Sequence, residues 1–80
     1  MIYHTGHASD QLFERYGINA TEFDWIESFL DVVDGRSLLL ARQGNGRERR
    51  LLRVAGEPVI VVYEPASARF VTVLPPPGSG

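Results

Sequence analysis

Three groups of side chains in this 80-residue chain have types and spacings that point to chemistry: a histidine pair, a set of arginines and a stripe of carboxylates. His4 and His7 lie three apart. As metal ligands they lack a third partner, because the chain has no cysteine and no nearby His-x-x-x-His or Glu-x-x-His arrangement. No metal or other cofactor is therefore expected. His7 alone, at a helix start, has the near-neutral pKa of a general acid or base. The plainer reading is that it caps or packs there. No Ser-His-Asp set, glycine-rich phosphate loop or paired-carboxylate site follows from order and spacing, and Gly44-Asn45-Gly46 is a turn rather than a phosphate cradle.

All eight basic residues are arginine. A GC-rich coding sequence produces that bias without selection, yet Arg is also the better residue for forked contacts to phosphate or carboxylate. Residues 36–55 hold Arg36, Arg42, Arg47, Arg49, Arg50 and Arg53 against Glu48 alone, a net of +5. Strand alternation places Arg47, Arg49, Leu51 and Arg53 on one face and Arg50, Leu52 and Val54 on the other, with Arg42 across a hairpin. Arg42, Arg47, Arg49, Arg50 and Arg53 are the nucleic-acid-binding candidates. Against them stands the whole chain, with a net charge of −2 and a pI near 5.5, where RNA-binding proteins are usually basic. The alternative is an exposed hairpin that uses Arg for solubility and to block edge pairing.

The carboxylates are more distinctive. Residues 19–35 carry five acids and no base, and Asp24, Glu27, Asp31 and Asp34 follow at i, i+3, i+7 and i+10, one face of a helix. Like charges there repel, with no basic partner at i+4. Either the face is solvated or neutralised by the arginine hairpin, or it docks a basic patch on another protein, where complementary charge supplies on-rate and specificity. Trp25 lies beside the stripe and is either an interface anchor or a core residue.

The elements that must position these groups are legible from punctuation and period. Met1–Thr5 reads as an edge strand or extended lead-in. Thr5 caps a helix over 7–16 with an apolar stripe of Leu12, Phe13 and Tyr16. Gly17 suits a left-handed ending of the Schellman type, with Ile18 packing back. Thr21 caps a second helix, with Glu22 and Asp24 in its first turn where the dipole favours anions. Ile26, Phe29, Leu30 and Val33 are its expected core face, and Gly35 ends it.

Strands are expected at 37–42, 48–55, 58–64 and 69–74, joined by turns at Gln43–Gly46, Gly56-Glu57 and Pro65–Ala68. Val59-Ile60-Val61-Val62-Tyr63 is apolar on both parities, which places it mid-sheet with cover on both faces. Short connections require an antiparallel meander. The expected fold is α+β, two N-terminal helices packed on a four-stranded antiparallel meander, as a single domain over 1–74. Pro75-Pro76-Pro77 leaves as polyproline into a flexible Gly78-Ser79-Gly80 tail. No apolar run approaches the ~20 residues of a membrane span, no signal-peptide pattern opens the chain, and the absence of cysteine fits a cytoplasmic protein.

Thr5-x-His7-Ala8 followed by Glu14-Arg15-Tyr16-Gly17-Ile18 resembles the start of small uncharacterised domains that open Thr-x-His-Ala-x-x-Arg and continue Glu-Arg-x-Gly-Ile. Those domains end in strands like Val61-Val62-Tyr63 and Val71-Thr72-Val73-Leu74, and occur on phages and other mobile elements. The family arginine is Gln11 here. The order of elements is also similar to the RelE/ParE and barnase–colicin-like toxin fold. That resemblance implies a metal-independent ribonuclease in which His7, Arg42, Arg49, Arg53 and Tyr63 bind and polarise the scissile phosphate. Cations there would stabilise the developing phosphorane charge.

The first expectation is a non-enzymatic module that docks on a host protein and inhibits or otherwise modulates it. Its contacts are Asp24, Trp25, Glu27, Asp31 and Asp34, with the arginine hairpin as a second surface. The alternatives are the RelE-like ribonuclease and a homodimer that pairs the acidic helix with the basic hairpin of a second copy.

Overall fold

In the computed structural model, which describes residues 2–78, two helices precede a four-stranded antiparallel sheet. Helix α1 spans Gly6–Tyr16 and α2 spans Glu22–Val33. Strands β1 (Leu38–Arg42), β2 (Glu48–Val54), β3 (Glu57–Glu64) and β4 (Arg69–Val73) lie in the order β1-β2-β3-β4, an α+β meander. Met1 of the lead-in and Ser79-Gly80 of the expected tail lie outside the described residues.

The helix ends follow local chemistry. Thr5 caps α1 by accepting from the Ala8 amide at 3.0 Å. Gly17, at φ 69°, closes it with one bond from its own N–H to the Phe13 carbonyl at 2.9 Å, the simple left-handed ending. The full Schellman pair sits instead on α2. There the Arg36 amide donates to Asp31 and the Gly35 amide to Val32, with Gly35 at φ 74°. Thr21 and Asp24 form a reciprocal capping box at the start of α2.

The turn between β2 and β3 is one residue earlier than expected. Ala55 (φ 52°) and Gly56 (φ 82°) occupy the two positions of a type I′ loop closed by the Val54–Glu57 pair, so Glu57 belongs to the strand. The β1–β2 loop is fastened by Gln43 N–H to the Arg47 carbonyl at 2.8 Å and by Asn45 Oδ1 accepting from the Arg47 amide.

Strand β3 is interior, between β2 and β4. Its Val59, Val61 and Tyr63 join Leu52, Val54, Phe70 and Val73 in one buried cluster with Ala8 and Leu12 of α1 and Trp25 of α2. Both helices therefore cover the same face. The other parity of the apolar run is not covered by a second layer. Val62 is buried, but it lies outside that cluster and is flanked across the ladder by Arg49 and Thr72. Side chains of neighbouring strands shield it.

The face of α2 toward the core differs from the expected one by a single residue. Trp25 and Ser28 are buried and Phe29 and Val32 pack against the cluster, whereas Ile26, Leu30 and Val33 are exposed. Both stripes keep the i, i+3, i+4, i+7 spacing, and Phe29 belongs to each. The winning rotation buries Trp25, the largest side chain available, which stacks 5.0 Å from His4 and lies 5.5 Å from Phe70. It also lets the Ser28 hydroxyl reach the Asp24 carbonyl at 3.0 Å and the Arg53 carbonyl of β2 at 2.7 Å. A small buried hydroxyl residue thus ties the helix to the sheet by hydrogen bond.

Candidate functional site

The candidate nuclease residues do not share a surface. Cross-strand pairing puts Arg49 opposite Val62 and Arg53 opposite Pro58, on the face turned away from the helices. Arg42 pairs with Glu48, and Glu48 with Tyr63, on the opposite parity. Tyr63 is 6% exposed, packed 5.2 Å from the Phe70 ring. Burial and the nearby Glu48 carboxylate both push its hydroxyl pKa up. It is a core residue. His7 is exposed in the first turn of α1, the helix beside β4 rather than beside the arginines of β2.

The remaining arginines of the hairpin have partners of their own. Arg47 donates to Glu64 at 3.1 Å, and Ser67 donates to the same carboxylate, so these hydrogen bonds hold the Glu64 pKa below the usual range. Arg50 is held on the helix side by Glu48 at 2.9 Å and the Ser37 hydroxyl at 2.8 Å. Only Arg49 and Arg53 of the β2 set remain exposed on one face without an ion pair among the described residues. Among those residues, no cluster of three or more His, Cys, Asp or Glu is placed to hold a metal, and no helix is long and apolar enough to cross a membrane.

Helix α2 gathers the other set. Glu27, Asp31 and Asp34 border an open groove of about 340 Å³, whose other wall includes Arg53 and Gly56. Asp24 also borders it, but its carboxylate is committed to the capping box, accepting from the Thr21 amide at 2.8 Å. Asp34 meets Arg36 at 3.4 Å in an exposed pair, the kind of contact that contributes ~0–1 kcal/mol. Glu27 and Asp31 have no ion pair among the described residues. Trp25 leaves the surface set altogether. At 1% exposure it is core, and its indole N–H is buried without a hydrogen-bond partner.

Three of the apolar residues assigned to the core from sequence, Ile26, Leu30 and Val33, lie in solvent instead, and Phe23 joins them. Phe23, Ile26, Leu30 and Val33 fall at i, i+3, i+7 and i+10 and all are exposed, Val33 at 63%. They form a stripe beside the acids. Of the eight large exposed hydrophobics among the described residues, six lie on α2 or β1, where Leu38 and Leu40 complete the set. The exposed apolar side chains are thus concentrated on two elements. Their sequence signal was the number of apolar positions in α2, seven in twelve residues, more than one buried stripe needs.

No protein-family model, no curated protein and no solved structure matches this chain.

Proposed function

We propose that the protein is a non-enzymatic binding module that docks a partner protein on the outward side of α2. The observation that carries this reading is the exposed stripe Phe23, Ile26, Leu30 and Val33 running beside Glu27, Asp31 and Asp34. Apolar side chains give area to bury, and the flanking carboxylates select a partner with basic groups around an apolar ridge. The resemblance to small phage and mobile-element domains makes that partner a host protein, modulated by having its basic surface covered. The division of the nuclease candidates between two sheet faces and the core favours binding over catalysis.

The test is a comparative pull-down from host lysate with wild-type bait, a Leu30→Ser/Val33→Ser bait and an Asp31→Arg/Asp34→Arg bait, each checked for folding. The expected result is a partner retained by the wild type and lost by both variants. Equal recovery by all three baits rules out the α2 surface. RNA cleavage by the wild type that is abolished in His7→Ala would replace this reading with the ribonuclease.

A further inference from the structure

The two margins of the sheet are finished differently. Along β4, the chain satisfies its own edge. The Phe70 amide donates to the Tyr3 carbonyl at 2.8 Å and the Thr5 amide to the Phe70 carbonyl at 3.1 Å. The Thr5 hydroxyl donates to the Val71 carbonyl, the Val73 amide to Gln11 Oε1 at 3.0 Å, and Arg15 to the Val73 carbonyl at 2.7 Å. Along β1 nothing comparable happens. Among the described residues, no hydrogen bond from outside the β1–β2 ladder reaches residues 38–42. The strand reads Leu38-Leu39-Leu40-Ala41-Arg42, with Leu38 58% and Leu40 42% exposed.

An open edge rich in leucine is a template for strand addition, and natural edges are blunted with Lys, Pro or bulges. Here the edge is blunted only in part, by its five-residue length, by Arg42 at its end and by the register shift between Leu39 and Ala41. We propose that a second copy of this chain covers the edge, β1 against β1 in antiparallel register about a twofold axis. Two four-stranded sheets then continue into one of eight strands. The proposal does not rest on the α2 reading; it leaves the apolar stripe Phe23, Ile26, Leu30 and Val33 free but draws on the carboxylates at the end of α2.

Charge favours this occupant and this direction. Arg42 ends β1 and makes no ion pair among the described residues. The other end of β1 follows α2 by four residues, and there Asp31 and the negative end of the helix dipole remain once Asp34 has paired with Arg36. An antiparallel, twofold pairing carries each Arg42 to that acidic end of the second copy, as an isologous interface must. A parallel pairing would set Arg42 against Arg42. A standard interface covers about 800 Å² per partner, roughly a sixth of this chain's 4875 Å² surface. Five residues of edge fall short of that, so the association is weak.

The experiment is sedimentation of the full chain from about 10 μM to 1 mM, a span that brackets weak association. The mass should climb from one chain toward two, and Leu40→Lys should weaken association by at least ~10-fold (one exposed leucine replaced by an edge-blocking charge) at an unchanged melting temperature. A single-chain mass throughout, or association indifferent to Leu40→Lys, overturns the proposal. Should Leu40→Lys fail to fold, wild-type hydrogen exchange decides. Amides of β1 must slow with concentration while those of residues 43–46 do not, and β1 exchange independent of concentration is the contrary result.

Discussion

Strand β4 and strand β1 are both margins of one sheet, five residues each, yet the chain treats them oppositely. The β4 side is closed by backbone from residues 3–5 and by side chains of α1, and its Phe70 and Val73 are fully buried. The β1 side, together with the α2 helix that leads into it, keeps Leu30, Leu38 and Leu40 in solvent. In an 80-residue domain with little core to spend, such asymmetry shows where stability is concentrated and where contact surface is left. One margin folds the protein. The other is available to something else.

The comparison breaks most sharply at Phe70. Phe70→Ala removes a fully buried ring from beneath the closed margin, and should cost about 3–5 kcal/mol in chemical denaturation. A loss under 1 kcal/mol would mean that this margin is not where the fold is held. Next is Gln11→Leu, which strands the Val73 amide and the Thr72 hydroxyl together. An orphaned buried donor costs about 1–3 kcal/mol, and the melting temperature should fall accordingly.

Gln11 and Arg15 also show what sequence reading could not reach. Each bonds a strand about 60 residues away, a pairing that local period does not encode. What is encoded locally was legible. Thr5 and Thr21 cap their helices, and Gly17 and Gly35 end them. The β-branched run 59–63 lies in an interior strand. The facing of α2 was ambiguous because Phe29 serves two overlapping stripes and a serine stands where an apolar residue was sought. That one-residue rotation is why Trp25, readable from sequence as either anchor or core, is core, while Leu30 and Val33 are exposed.

A pH titration sharpens the contrast further. His4 pairs with β4 at Phe70 and stacks on Trp25, and burial lowers its pKa from 6.5, partly offset by Glu22. A base whose folded pKa is depressed leaves the unfolded chain holding more protons below the unfolded value. Stability is therefore full above pH 6.5 and declines as pH falls through that value. His4→Gln should flatten the decline between about pH 7 and 5, before most carboxylates titrate. An identical profile in the variant would show that the closed margin does not sense this proton.

The smallest effect belongs to the open margin. In dilute protein, Leu40→Lys should change unfolding free energy by no more than about 0.5 kcal/mol, the usual range for an exposed position without partners. A loss of 2 kcal/mol or more, the range of buried-leucine truncations, would place Leu40 in a core.

Per-residue hydrogen exchange on dilute protein tests the central contrast most directly. Amides of Phe70 and Val73 should exchange only with global unfolding, and the outward-facing amides of β1 should exchange faster by on the order of 100-fold. Equal protection of the two strands in the dilute protein would contradict the account.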